Sequence, residues 1–111
     1  MLIFAHRGAS GIEPENTLRA IRSALDANVD GIEIDVHQVE DKLVVIHDRW
    51  LQRTTSGNGQ LKHYSFEQLR ALDAGHGEVI PTLDEVLALT ANKCLVNIEL
   101  KGIKDIKLLF A

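Results

Sequence analysis

Gly31-Ile32-Glu33-Ile34-Asp35-Val36-His37, followed after a short polar break by Leu43-Val44-Val45-Ile46-His47, is the stretch that decides the fold. Side chains alternate across an extended strand, so Ile32, Ile34 and Val36 share one face while Glu33 and Asp35 share the other. The second run is rich in Val and Ile, the composition of another extended segment. Only Gln38 to Lys42 separate the two. A parallel crossover takes about a dozen residues, so these runs cannot be consecutive parallel strands. They form a hairpin-like excursion that returns His47 towards the end of the first run.

Towards the N-terminus, Leu2 to His6 is a short apolar run ended by Gly8 and reads as a buried strand. From Thr17 to Asn28, Leu18, Ile21 and Leu25 recur at helical spacing, with Pro14 and Asn16 just ahead to start and cap the helix. Towards the C-terminus, residues 53–59 form a polar, glycine-containing loop. Ser65-Phe66-Glu67-Gln68 and Thr82-Leu83-Asp84-Glu85 match the capping-box pattern. The helices that follow carry Phe66, Leu69 and Leu72, then Leu83, Val86, Leu87 and Thr90. Asp73-Ala74-Gly75 reads as a helix-ending turn. Leu95 to Leu100 is the last strand, and Gly102 to Ala111 would open a further helix.

Strand, helix, strand, hairpin arm, helices, strand is the order of an α/β fold with parallel strands covered by helices. A closed (β/α)₈ barrel typically needs ~250 residues and at least ~200. With 111 residues, the expectation is one partial barrel domain over 1–111, holding about the first three barrel strands plus the excursion. Its inner face of Leu2, Phe4 and Leu95 would lack an opposing wall, which favours self-association or pairing with a complementary C-terminal half.

Twelve basic against sixteen acidic residues give a formal net charge of −4. Without Lys/Arg clusters, such a chain is a poor partner for nucleic acid or anionic membrane. No apolar run reaches the ~18 residues of a membrane span, and the opening residues lack the pattern of a secretory signal. The single cysteine, Cys94, excludes an internal disulfide framework and is expected to pack rather than react. A soluble, cytoplasmic protein is expected.

Each strand runs from apolar residues into charge at its C-terminal end, where α/β proteins build sites. Glu33, Asp35 and Glu99 would make a hard oxygen set suited to Mg²⁺ or Ca²⁺; alternatively, Glu33 and Asp35 lie on the surface of an edge strand. His6 and His47 each close an apolar run, next to Arg7 and Asp48. Histidine is the commonest general acid or base, although a histidine at a strand end is also a common structural residue. Arg7 offers a planar fork for phosphate. Trp50 stands at the site entrance or packs locally, His37 supports the site or is exposed, and His63 and His76 belong to the surface.

The segments His6-Arg7-Gly8, Pro14-Glu15-Asn16-Thr17, Glu33-Ile34-Asp35-Val36-His37, His47-Asp48, Arg53-Thr54-Thr55-Ser56-Gly57-Asn58-Gly59, Pro81-Thr82-Leu83-Asp84-Glu85 and Glu99-Leu100-Lys101 together resemble the glycerophosphodiester phosphodiesterase family. The resemblance implies a TIM-like barrel of the phospholipase C-like phosphodiesterase type. It implies a divalent ion, Mg²⁺ or Ca²⁺, held by Glu33, Asp35 and Glu99. His6 and His47 would be the acid/base pair, flanking the site from opposite sides, and Arg7 and Lys101 would face the phosphate. The reaction implied is hydrolysis of a small-molecule glycerophosphodiester to glycerol 3-phosphate and an alcohol, through attack by the substrate's own 2-hydroxyl. Two rivals stand beside it: a phospholipase D-like barrel enzyme acting on lysolipids, and a non-catalytic half-barrel that associates with another chain.

Overall fold

In the computed structural model, which describes residues 1–103 and 107, the first run of the decisive stretch lies in one strand paired along both edges, and the second run forms an antiparallel neighbour of it. The described residues form four strands: β1 (Phe4–His6), β2 (Gly31–Val39), β3 (Lys42–Val45) and β4 (Leu95–Leu100). β1 and β4 run parallel to β2, and β3 runs antiparallel to it. Val36 pairs with both Val45 of β3 and Leu100 of β4, so β3 and β4 lie on opposite edges. β1 and β3 therefore share the remaining edge: β1 pairs with Gly31 to Glu33, and β3 takes over from Val36 to Val39. The expected hairpin is this β2–β3 unit.

The helices among the described residues are α1 (Leu18–Asp26), α2 (Phe66–Arg70) and α3 (Leu83–Thr90), with a 3₁₀ turn over Leu61–His63. Ile32, Ile34 and Val36 on one face of β2 are fully buried against Ile21 and Ala24 of α1 and Leu83 and Val86 of α3. Each such side chain contributes roughly 1.5–3 kcal/mol through burial. A second core gathers Val44, Ile46, Leu51, Leu61, Leu69 and Ile80 beneath the excursion. Strand β3 divides the two, since Val45 belongs to the first core and its neighbours Val44 and Ile46 to the second.

Both capping boxes form, at Ser65–Gln68 and at Thr82–Glu85. Helix α1 is capped by Thr17, whose hydroxyl accepts from the Ala20 amide at 3.1 Å and donates to the Pro14 carbonyl at 2.7 Å. Asn16, the residue expected to cap, is turned elsewhere. Leu2 and Ile3 lie outside β1 and are exposed. Leu87 is also exposed, because α3 buries the stripe of Leu83, Val86 and Thr90 and leaves Leu87 at its margin. Asp73 does make a turn, its carboxylate accepting from the amides of Gly75 and Gly77. The helix expected from Gly102 to Ala111 falls largely outside the described residues.

Gly8 makes the close step from β1 to α1 possible. Its φ is +76°, and a Cβ there would stand 2.9 Å from the backbone carbon of Ala20. A left-handed conformation costs a non-glycine residue roughly 1–2 kcal/mol before any clash. Gly8→Ala is therefore expected to lower stability by at least ~1–2 kcal/mol, read from the urea unfolding midpoint. A midpoint equal to wild type would contradict this reading of the β1–α1 contact.

Candidate active site

The face of β2 turned away from the helices carries Gly31, Glu33, Asp35 and His37, and the strand register arranges its neighbours in rows. Phe4, Gly31 and Leu95 form one row; His6, Glu33 and Asn97 form the next; Asp35 and Glu99 stand opposite each other in the third. Neighbouring strands lie only ~4.8 Å apart, so partners in a row are side-chain neighbours. Strand β1 ends at His6. The Arg7 amide then donates to the Glu33 carbonyl at 2.7 Å and the Ile46 amide to the Asp35 carbonyl at 3.0 Å. Four of the seven expected site residues, His6, Glu33, Asp35 and Glu99, thus stand in two adjacent rows. This is a property of the backbone pairing.

Asp35 is the buried member, at 2% exposure. Its Oδ2 accepts from Asn16 Nδ2 at 3.0 Å and lies 3.3 Å from Arg7 Nε. Arg7 and Asn16 both have φ of +57°, and the Asn16 amide donates to the Arg7 carbonyl at 2.9 Å. Non-glycine residues held left-handed store strain, and such residues gather at functional sites. Here two of them, locked together through the backbone, aim their side chains at one carboxylate.

A chain of ion pairs continues from Arg7. Its guanidinium reaches Glu15 at 3.3 Å, and Glu15 receives two 2.9 Å bonds from Arg53. Arg53 also donates to both oxygens of Asp48, at 2.7 and 3.0 Å, and Asp48 Oδ1 sits 2.6 Å from Nδ1 of His47. Hydrogen bonding from Arg53, aided by His47 and outweighing partial burial, holds the Asp48 carboxyl down at about 2. For Glu15, burial opposes ionisation, but the bonds and charges of Arg53 and Arg7 outweigh it and keep its pKa below the usual carboxylate range. Asp48 fixes one ring nitrogen of His47 and leaves Nε2 for other work. His37, buried at 4% exposure, bonds through Nε2 to the His47 carbonyl at 3.0 Å, and burial lowers its pKa. It supports the strand end that carries His47.

The side chains are less convergent than the backbone. Among the described residues, no three His, Cys, Asp or Glu side chains stand close enough to hold a metal ion. Glu99 is two-thirds exposed and paired with Lys101 at 3.2 Å. Arg7 and Lys101, expected to face a phosphate, are each engaged with carboxylates of the same face. His6 and His47 come from the same edge of β2, so they bracket Asp35 along the strand rather than across it. His6, at the end of β1, is exposed.

At the carboxyl ends of β2 and β4 a depression of about 570 Å³ is lined by His37, His47, Asp48, Trp50, Leu100 and Lys101, among others. Trp50 lines it half-exposed. Another depression, of about 660 Å³, lies by the C-terminal turn of α1, with Arg22, Asp26 and Lys93 in its wall, and gathers none of these groups. His63 and His76 are exposed. Cys94 packs against the main core, and burial pushes its thiol pKa up.

Sequence reasoning left Glu15, Arg53 and Asp48 without roles and misread Asn16. The signal available was charge: Asp48 stands between His47 and Arg49 with Arg53 five residues on, and Glu15 is an acid with no basic neighbour directly beside it. Their pairing spans up to 38 residues, from Glu15 to Arg53, and sequence distance hides it.

Comparison with solved structures gives the same architecture. The structure of a glycerophosphodiester phosphodiesterase from Agrobacterium tumefaciens matches with a TM-score of 0.92 at 38% identity, over 99% of this chain and 51% of that one. An Oleispira antarctica phosphodiesterase, solved in complex with the product sn-glycerol-3-phosphate, matches with a TM-score of 0.88 at 36% identity, over 93% of this chain and 45% of that one. The profile of the glycerophosphoryl diester phosphodiesterase family matches residues 6–109, and the chain belongs to that family. A glycerophosphodiester phosphodiesterase of Caldanaerobacter subterraneus is 48% identical over 110 residues, 91% of this chain and 45% of the relative. Human glycerophosphodiester phosphodiesterase 1 is 41% identical over 109 residues, 88% of this chain and 33% of the relative. The chain spans about half or less of the length of the curated relatives it matches.

The Asp48 pKa lies below the ordinary value of 3.8 for such a carboxyl. Its ionised form therefore stabilises the fold above about pH 4 and loses that contribution as pH falls towards 2. Arg53→Ala removes the main cause. The Asp48 carboxyl midpoint, followed by ¹³C NMR, should rise from about 2 towards 3.8. A midpoint that stays at about 2 would show that Arg53 does not hold Asp48.

Proposed function

We propose that this chain carries the metal- and histidine-bearing part of an enzyme that hydrolyses glycerophosphodiesters to glycerol 3-phosphate and an alcohol. One observation carries the reading: the register of β1, β2 and β4 sets His6 beside Glu33 and Asp35 beside Glu99 on one face. The names of its relatives support the substrate class. The sheet is read as a segment of a TIM-like barrel, open where β4 pairs with β2 alone among the described residues.

Glu33, Asp35 and Glu99 are hard oxygen donors, the set that suits Mg²⁺ or Ca²⁺. The register sets them in adjacent rows of one face, but among the described residues their side chains do not converge. Glu99, exposed and paired with Lys101, is the carboxylate with room to turn towards the other two. Bound there, the ion would supply charge neutralisation to a phosphodiester anion. Arg7, releasing Glu15 while its Nε stays on Asp35, and Lys101, releasing Glu99, would turn to phosphate oxygens and orient the diester. One histidine takes the proton of the substrate's 2-hydroxyl as it attacks phosphorus. The other protonates the departing alcohol, and water then opens the cyclic phosphate. His47, with Nδ1 fixed on Asp48, has its Nε2 available for either transfer.

A second reading, a non-catalytic half-barrel that pairs with another chain, is favoured by the exposure of Leu95 and Leu100 on β4. The phospholipase D-like alternative has no observation behind it.

Taken alone, the purified chain is expected to show little activity, because the substrate would be bound on one side only and left open to water. With a complementary C-terminal half added, glycerophosphocholine is expected to yield glycerol 3-phosphate in a reaction stopped by EDTA and restored by Mg²⁺ or Ca²⁺. His47→Ala should lower turnover by at least ~10²-fold, the scale of a lost acid/base group. Turnover that survives EDTA would contradict the metal. Near-wild-type turnover in His47→Ala would remove that residue from the mechanism. Divalent-ion binding without hydrolysis, with that half present, would favour the half-barrel.

A further inference from the structure

Three buried polar atoms beside this site have no hydrogen-bond partner among the described residues: Nε of Arg7, which still faces Asp35 Oδ2 as an ion pair at 3.3 Å, and two without such a contact, Oδ1 of Asn16 and Oγ1 of Thr54. Asn16 and Thr54 both line one small cavity of about 10 Å³, walled by Glu15, Ile46, His47 and Pro81. A space of this size takes a single water, and water enters where at least two polar groups receive it. The amide of Asn16 has only one workable orientation. A carboxylate only accepts, so Nδ2 must face Asp35 and Oδ1 must face away from it.

We propose that Asn16 is a positioning residue for the Asp35 carboxylate, itself held through one buried water that joins its Oδ1 to the Thr54 hydroxyl. The water donates to both oxygens, and the Thr54 hydroxyl keeps its own proton for a further acceptor. Asn16 and Arg7 both engage Oδ2 of Asp35, which leaves Oδ1 without a partner among the described residues. A clamp on one oxygen fixes the carboxylate plane and presents the other. It also gives the loop after His47 a route to Asp35, since Thr54 directly follows the Arg53 that holds Asp48. Ordinary helix capping does not explain Asn16: Thr17 is the cap, and Asn16 is 3% exposed in a left-handed conformation.

This rests on the reading of Asp35 as a metal carboxylate, and the test separates the two. A high-resolution crystal structure of the full chain should show one ordered water within hydrogen-bond reach of Asn16 Oδ1 and Thr54 Oγ1. Thr54→Val, which exchanges only the hydroxyl for a methyl, should expel it. Titration with Mg²⁺ alone should show affinity ~10- to 100-fold weaker in Asn16→Ala, the usual range for a group behind a ligand. It should be weakened several-fold in Thr54→Val and retained in Thr54→Ser. Absence of the water, or wild-type affinity in both Asn16→Ala and Thr54→Val, would overturn the proposal. Should Asn16→Ala fail to fold, Thr54→Val carries the comparison. Should the wild type bind no divalent ion, the metal reading falls. The clamp is then judged by the water and by the Asn16 side-chain amide protons. Slow solvent exchange in wild type that quickens in Thr54→Val supports it, and fast exchange in wild type overturns it.

Discussion

A carboxyl group at 2% exposure in the middle of a doubly paired strand is the constraint around which the molecule is arranged. Burying such a group costs heavily unless donors meet it. The strand's own amides are spent on the ladder, so the donors of Asp35 must come from side chains of the turn after β1. Arg7 and Asn16 reach it only by adopting left-handed backbone, and Gly8 follows because the chain must then pass against α1 with no room for a Cβ. Arg7 in turn needs Glu15, Glu15 is shared with Arg53, and Arg53 fixes Asp48 against His47. One buried carboxylate thus sets the order of residues from 7 to 53.

The division of β2 into two faces makes this arrangement affordable in structural terms. Ile32, Ile34 and Val36 close a core with α1 and α3, so the opposite face need contribute little to stability. The excursion adds a separate core under β3. That core holds the segment carrying His47, Asp48 and Arg53 against the β2 edge that β1 vacates after His6. Histidines arriving from two stretches of sequence can therefore meet one strand at two levels.

What the sequence made legible was local. Alternation in β2, the five-residue gap that forces an antiparallel return, and both capping boxes depend on neighbours within a few positions. Strand parity likewise set four of the seven residues expected at the site, His6, Glu33, Asp35 and Glu99, on one face, whereas Arg7, His47 and Lys101 lie beyond the strand ends. What stayed hidden was set by contacts between distant segments. Asn16 has the chemistry of a cap, and only the fold shows that Thr17 does that work and Asn16 meets Asp35 instead. The Glu15–Arg53–Asp48 chain joins three segments whose proximity no periodicity encodes. His37 shares the parity of Asp35, yet its burial follows from the His47 carbonyl closing over it. Leu87 fits the helical stripe and lies exposed, because α3 turns Leu83, Val86 and Thr90 inward and leaves it at the margin.

The face of β2 that carries Glu33 and Asp35, with its β1 and β4 neighbours, is the site proposed to take both the cation and the phosphate. Paramagnetic relaxation by Mn²⁺, which takes the same oxygen donors as Mg²⁺, tests it most directly in the ¹⁵N-labelled chain. The account predicts selective broadening at His6, Glu33, Asp35 and Glu99, with residues on the outer turns of α1 and α3 unaffected. Broadening centred on another acidic cluster, or none at any residue of β2, would contradict it.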